Sequence, residues 1–439
     1  MPPTEFIQGL CSFIQNSPTP FHAVKTSEEI LAANGFKQLH EEDCWTPLQP
    51  GSYYVTRNKS SLIAFHLTHS PHPHQVLRMA GAHTDSPCLK IKPNPTSKTH
   101  SYVQFGIEVY GGALLNPWFD RDLSLAGKVS WKTERGGLAT DIIDFKRPIA
   151  TIPSLAIHLD REANTKRAIN KQTDITPIFL LDHNNDQELD FYQFIHKQLQ
   201  HEYPQAKKGS VLDFDLFLYD TQPPAQIGYN QEFICGSRLD NLLSCYVLID
   251  AATSTAGLED CMIVLNDNEE VGSVSTTGAQ GTFLSSVLGR LYPDQAHLSQ
   301  VMSQSLFLSV DNAHAVHPNF PTKHEANHLP KLNRGPVLKK NANQRYASDS
   351  VSSGLFKLIC EQAHIPFQEF VMRNDMACGS TIGPLTASTI GVPTVDIGVP
   401  SLGMHSIRET VGHLDGWFLL EAMNTFFQAE PDLIRCVTK

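Results

Sequence analysis

The sequence predicts an α/β protein interrupted by a β-rich insert. Near the N-terminus, and again beyond about residue 226, apolar runs of strand length alternate with helical periodicity, the pattern of a sheet covered by helices. Between about 87 and 225 that alternation gives way to short strands and tight turns. The length, 439 residues, exceeds what one simple core supports. We therefore expect a discontinuous α/β domain over 1–86 and 226–439 and an inserted β-rich domain over 87–225.

In chain order, EFIQGLCSFIQNSPTPFHAVKTSEEILAANGF carries helical periodicity with a Pro/Ser break. YYVTR (53–57), SLIAFHL (61–67) and QVLRMAGAHTD (75–85) read as strands, the last two separated by the proline-broken loop THSPHPH (68–74). In the insert, VQFGIEVYGG, LAGKVSWKTE and LATDIIDF read as short strands, among long polar stretches such as DREANTKRAINKQTD (160–174). A helix is expected over NLLSCYVLIDAA (241–252), a strand over CMIVLNDNEE, a strand over LFLSVDNAH (306–314) and a helix over SSGLFKLICEQA (352–363). FQEFVM (367–372) reads as a strand, and TASTIGVPTVDIGVP (386–400) as the end of a helix passing into a strand. No internal repeat or low-complexity tract is present.

Composition narrows the function classes. Apolar content of 41% and charged content of 18% fit a globular chain. The formal net charge of −11, from 45 acidic and 34 basic residues, disfavours nucleic acid or an anionic membrane as partner. No run of about 18 apolar residues predicts a membrane span, and the N-terminal stretch lacks the apolar core of a signal peptide. Nine cysteines, an odd number with irregular spacing and no C-x-x-C, predict reduced thiols in a cytoplasmic protein rather than a cysteine-ligated zinc.

The chemistry-bearing residues stand where strands end. They are His83 in MAGAHTDSP, Asp240 in GSRLDNL, Glu270 in NDNEEVGS, Asp311 in SVDNAH and His405 in PSLGMHSIRE. Open α/β sheets collect ligand sites outside the carboxyl ends of their strands, so these distant segments can converge. Two imidazoles and three carboxylates exceed the ligands of one tetrahedral zinc. They suit two divalent ions sharing a bridging carboxylate. Carboxylates offset the repulsion of two close dications, and imidazole nitrogen suits zinc, with manganese and cobalt compatible with the same set. A water between the metals becomes acidic, and a base that is not itself a ligand must take its proton. The adjacent glutamates divide these tasks: Glu270 ligates and Glu269 acts as general base. Asp85, two residues after His83, is placed to orient the imidazole.

With these residues in view, the chain resembles the M18 family of aminopeptidases, and within it the aspartyl aminopeptidases of bacterial type. The resemblance rests on GAHTDSPCLKIKPNP, IPSLAIHLDR, GSRLDNL, DNEEVGS, DNAHAVHPNF, NQRYAS, MRNDMACGSTIGP and GMHSIRE, which together span most of the chain. It implies a mixed-sheet α/β zinc-peptidase domain with a β-rich dimerisation insert. It also implies that His83, Asp240 and Asp311 hold one metal, and that Asp240, Glu270 and His405 hold the other, with Asp240 as the bridge. By the same resemblance Tyr346 stabilises the oxyanion, and Lys339 meets an acidic substrate side chain. His314 lines the substrate pocket, and His158 reaches a neighbouring subunit's active site. The expected reaction removes N-terminal residues, Asp or Glu first among them, from peptides with a free N-terminus, through a metal-bridging hydroxide. The expected assembly is dimers building a dodecamer.

Two histidine motifs are set aside. HEANH (324–328) fits a zincin pattern, which works only on a helix, but it lies between Pro321 and Pro330 and is assigned to a loop. HLTHSPHPH (66–74) reads as a solvated loop. The alternatives left open are an aminopeptidase of neutral residues, a dinuclear deacylase or carboxypeptidase on small N-acyl amino acids, and a non-catalytic peptide-binding protein on the same fold.

Overall fold

The computed structural model describes residues 2–45, 48–182 and 189–435. It divides into two units. The first comprises Met1–Asp85, Pro224–Met404 and Glu409–Lys439, and the second Ser86–Pro223 with His405–Arg408.

The first unit is built on a nine-stranded mixed sheet. Its strands are β1 (Lys37–Gln38), β2 (Gly51–Arg57), β3 (Ser61–Leu67), β4 (Arg78–His83), β5 (Cys261–Asn266), β6 (Leu306–Val310), β7 (Val337–Lys340), β8 (Gln368–Val371) and β9 (Thr394–Gly398). Across the sheet they run β1-β2-β3-β5-β4-β6-β9-β7-β8. The central neighbours β5, β4, β6 and β9 are parallel, so their carboxyl ends open on the same edge. Helices α1 (Pro3–Gln15), α2 (Pro20–Ala33), α3 (Leu239–Ser254), α4 (Phe283–Leu291), α5 (Gln295–Gln304), α6 (Ser350–Gln362), α7 (Ile382–Ile390), α8 (Asp415–Phe427) and α9 (Pro431–Arg435) complete it.

The continuous apolar runs follow from burial on both faces. Along β5, Cys261, Ile263 and Leu265 pack into one core with residues of α1, α3, α6 and α8. The alternate Met262 and Val264 pack into another with residues of α4 and α5. LFLSVDNAH, expected as one strand, divides: β6 stops at Val310, and Ala313–His314 joins a separate five-stranded sheet beside Pro400–Leu402. The break lets Asp311 leave the large sheet at its carboxyl edge.

Packing is tight where α1 crosses α3. A Cβ at Gly9 would stand 2.0 Å from Tyr246 Oη and 2.9 Å from Cζ, and that ring is held between Phe6 and Phe13 at centroid separations of 5.5 and 5.6 Å. Gly9→Ala should therefore lower stability by about 1–3 kcal/mol, the usual range for overpacking. The denaturation midpoint measures it.

The second unit contains an antiparallel six-stranded sheet, ordered 138–144, 123–132, 210–220, 88–99, 102–110 and 178–181. It is not purely β. Phe191–Glu202 forms a helix that buries Phe191, Ile195 and Leu199, an i, i+4, i+8 stripe that the β-rich reading passed over. HEANH lies in a loop, where Glu325 pairs with His328. Cys11, Cys245, Cys261, Cys360 and Cys378 are unbridged thiols, and Cys436 lies outside the described residues. No described helix is long and apolar enough to cross a membrane.

Candidate metal centre

β4 ends on His83, whose side chain is 2% exposed. Its Nδ1 lies 3.0 Å from the Asp85 carbonyl oxygen and 3.4 Å from Asp85 Oδ1. Both are acceptors, so Nδ1 carries a proton and Nε2 is the nitrogen that faces the site. Nε2 faces Asp240 Oδ1 at 3.4 Å, Asp311 Oδ1 at 3.5 Å and Glu269 Oε2 at 4.0 Å. His83, Asp240 and Glu270 each offer a ligand atom, all within 4.8 Å of one another.

Each ligand is delivered by a strand end or helix start. Asp240 opens α3, where the backbone at Asp240 and Asn241 departs from helical angles. The Asp240 N–H donates to Glu409 Oε2 at 2.8 Å. The Asn241 carboxamide donates to the Val310 carbonyl at 2.8 Å, fastening α3 to the end of β6 just before Asp311. Glu269 and Glu270 sit on a 3₁₀ turn, Glu269–Val271, flanked by left-handed Asn268 (φ 62°) and Gly272 (φ 95°). Asp85 fixes that turn: Oδ1 accepts the Glu269 N–H and Oδ2 the Glu270 N–H, each at 3.1 Å. Asp85 thus reaches the histidine through its carbonyl, and its carboxylate spans the paired glutamates.

Five buried or partly buried carboxylates (Asp85, Asp240, Glu269, Glu270 and Asp311) face one imidazole and the ammonium of Lys339. Burial lifts Glu269 to about 8 and carries Glu270 well above the carboxylate range, with neighbouring negative charges adding to both. Burial alone would depress His83, but Asp240, Asp311 and Asp85 hold it well above its ordinary value. Burial likewise opposes ionisation of Asp311, yet Lys339 and His83 keep it well below the usual carboxylate range. This is an acidic, largely buried cluster short of positive charge. Its imidazole and carboxylate donors fit divalent metal.

The remaining candidates take three positions. Lys339 is 1% exposed, and its Nζ donates to Asp311 O (2.9 Å), Asn312 O (3.3 Å) and Asp311 Oδ2 (3.4 Å). The next residue, Lys340, instead pairs with Glu369 at 3.2 Å. Tyr346 packs with Ala313, Val337 and Phe370, and its ring stands 5.1 Å from Lys339 Nζ. Burial raises its phenol far above the ordinary value, and Cys378 packs against the same cluster. Tyr346 is therefore a permanent proton donor near Asp311. The His314 ring lies edge-on to Phe370 at 6.0 Å. His405 and His158 belong to the second unit. His405 Nδ1 lies 3.3 Å from the Gly112 carbonyl oxygen. His158 is in an exposed turn, with Leu155, Ile157 and Leu159 exposed around it.

Two residues at the site carried no role in the sequence reading. Glu409 stands in the GMHSIRE stretch but acts from outside the ligand set, through the Asp240 N–H. Asp396 is a lone carboxylate inside the apolar strand TVDIG. A charge at a strand position buried on both faces was the available signal.

A parallel-centred α/β sheet with a carboxylate–imidazole centre at its carboxyl edge is the arrangement of a metal-dependent hydrolase. The chain belongs to the M18 family: the family model for "Aminopeptidase I zinc metalloprotease (M18)" matches residues 13–427. It is 51% identical over 426 residues to "Probable M18 family aminopeptidase 2" of Azotobacter vinelandii, covering 97% of this chain and 99% of that one. Among solved structures it is similar to a chain of the Ape4 and Nbr1 complex, with TM-score 0.94 and 36% identity over 98% of this chain and 87% of that one. It is also similar to the S. cerevesiae mApe1 dodecamer, with TM-score 0.84 and 27% identity over 98% and 97% of the two chains. The protein is a metal-dependent aminopeptidase, which sets aside the deacylase, carboxypeptidase and non-catalytic readings.

Proposed function

We propose that this aminopeptidase removes acidic N-terminal residues with a dinuclear centre and Glu269 as general base. The observation that carries it is the convergence of His83, Asp240, Glu270 and Asp311 with Glu269 poised 4.0 Å from the histidine. His83, Asp240 and Asp311 would hold one ion, and Asp240, Glu270 and His405 the other. His405 enters on the sequence pattern. Zinc is the first expectation, with manganese and cobalt able to use the same donors. Bound metal supplies an acidified water and an electrophile for the scissile carbonyl. Glu269 takes the water proton and delivers it to the leaving amine nitrogen. The Tyr346 hydroxyl donates to the carbonyl oxygen as negative charge develops there. His83 keeps its orientation through the Asp85 carbonyl, and Asp85 keeps Glu269 and Glu270 on their turn.

For specificity, Lys339 is the buried cation that an acidic first residue would meet. Its longest contact, to Asp311 Oδ2 at 3.4 Å, is the one a substrate carboxylate can replace. His314, against Phe370, lines the same pocket. In assembly, exposed Leu155 (57%), Ile157 (47%) and Leu159 (76%) around His158 favour burial against a second copy. This supports dimers, and a dodecamer by likeness to mApe1. The inserted domain over 87–225 then serves dimerisation, and the location is cytoplasmic.

The test is hydrolysis of unblocked and N-blocked substrates with Asp, Glu or Leu first, with and without divalent metal. Metal-dependent cleavage of unblocked Asp and Glu substrates is expected. Cleavage of Leu alone removes the acidic preference. Lys339→Met should lower the Glu-over-Leu ratio of kcat/KM by roughly ten- to a hundredfold, the worth of one charged hydrogen bond. An unchanged ratio assigns the specificity elsewhere.

A further inference from the structure

Asp396 is fully buried on β9, directly beside Ser309 of β6 in the parallel register. It is no part of the proposed ligand set. Three of its hydrogen bonds lead to segments around Tyr346. Oδ2 accepts the Ala347 N–H at 2.6 Å, and the Asp396 N–H donates to Ser348 Oγ at 2.8 Å. Both lie just after Tyr346 in the chain. Oδ1 accepts the Thr381 hydroxyl at 2.5 Å. Thr381 caps α7, its Oγ1 accepting the Gly383 N–H at 3.3 Å. It follows closely on Cys378, which packs against the cluster that holds Tyr346. One carboxylate thus ties the backbone behind the phenol and the loop that packs beside it to a central strand.

The surroundings are shaped for that carboxylate. A Cβ at Gly383 would stand 2.4 Å from Asp396 Oδ2 and 2.5 Å from Oδ1, so only glycine lets α7 approach this closely. Putting a charge at the centre of an apolar sheet is costly unless donors surround it. Here two of the donors, the Ala347 N–H and the Thr381 hydroxyl, come from loops, so accepting them fixes loop geometry.

We propose that Asp396 is a positioning residue that presents Tyr346 to the reacting carbonyl. The inference rests on the oxyanion role proposed for Tyr346. An oxyanion donor must be held to a fraction of an ångström, since removing one costs roughly a hundred- to a thousandfold in kcat. Tyr346 stands on a loop, and a loop keeps such precision only if it is fastened to something rigid.

The experiment compares metal-loaded full-length protein carrying Asp396→Asn, Gly383→Ala, Tyr346→Phe and Asp396→Asn with Tyr346→Phe. Read out are kcat, KM, metal content and amide hydrogen exchange of the 341–349 segment. Asp396→Asn keeps the volume but cannot accept from both loops. Expected for it are a kcat lower by roughly tenfold or more, unchanged KM and metal content, and faster exchange in 341–349 without faster exchange in the nine-stranded sheet. Gly383→Ala, which displaces the carboxylate and leaves its chemistry intact, should do the same. The double variant should be no slower than Tyr346→Phe alone, because both changes remove one function. Wild-type kcat in Asp396→Asn overturns the proposal, as do effects that multiply in the double variant, or a fall in KM and metal content together. If Tyr346→Phe itself is fully active, the oxyanion role fails. The exchange data then decide the tie on their own: unchanged exchange at 341–349 overturns it.

Discussion

Glu269→Gln should lower kcat by roughly a hundred- to ten-thousandfold, the usual worth of a positioned general base, while the protein keeps its full metal content. Glu269 lies 4.0 Å from His83 Nε2, outside the group of His83, Asp240 and Glu270 whose ligand atoms come within 4.8 Å of one another. The proposal gives it the water proton rather than a place among the ligands. Its backbone is held by Asp85 Oδ1 at 3.1 Å, a bond that Gln leaves untouched, so the turn and Glu270 stay in place. The carboxamide keeps the volume and loses the proton affinity. Burial lifts the Glu269 carboxyl to about 8 in the metal-free protein, so this environment already favours proton uptake at that position. Near-full activity in Glu269→Gln, or loss of metal in parallel with activity, would reject the assignment.

The second large effect concerns Asp240, the proposed bridge. Asp240→Asn should weaken metal binding by a hundredfold or more and abolish activity at ordinary metal concentrations. Changes one shell further out already cost roughly ten- to a hundredfold. The metal-free fold should suffer little. Asp240 is a principal source of the repulsion that carries Glu270 above the carboxylate range, so a neutral group there relieves like-charge strain. The tie to Glu409 is made by the Asp240 backbone N–H and survives the substitution. The signature is a Tm equal to or above that of metal-free wild type, without the rise that wild type shows when zinc is added. A variant that unfolds without metal, or that keeps the zinc-dependent rise, would show that Asp240 is not the bridge.

Comparing residues shows what the linear chain made legible and why. CMIVL and TVDIG read as strands because each is buried on both faces of the sheet, and burial on two faces writes an apolar run into the sequence. The Glu269–Glu270 pair stood out because two adjacent like charges at a strand end need a reason. The helix over Phe191–Glu202 was hidden because its polar face dominates its composition, leaving only the spacing of Phe191, Ile195 and Leu199. The division of LFLSVDNAH was also hidden, since nothing local says that Ala313–His314 pairs with Pro400–Leu402 in another sheet.

The roles of the supporting residues divide the same way. Asp85 was read as a partner of His83 from its proximity in the chain. That its carboxylate spans the backbone of Glu269 and Glu270 depends on β4 and β5 lying side by side, with His83 in register with Asn266. The Glu409 bond to the Asp240 N–H and the Asp396 bond to the Ala347 N–H each span more than forty positions, so no short window of sequence contains both ends. Lys339 could be chosen as a cation for the pocket, but not seen to be engaged with Asp311 and Asn312.

By itself, then, the sequence determined the class of fold and the family, and it placed imidazole and carboxylate side chains where strands end. Hydrophobic periodicity and donor chemistry are local properties that each segment carries with it. Only the tertiary structure decided which backbone groups the carboxylates hold and which loops are fastened to the sheet. Those bonds join chain segments that become neighbours only when the strands take their places.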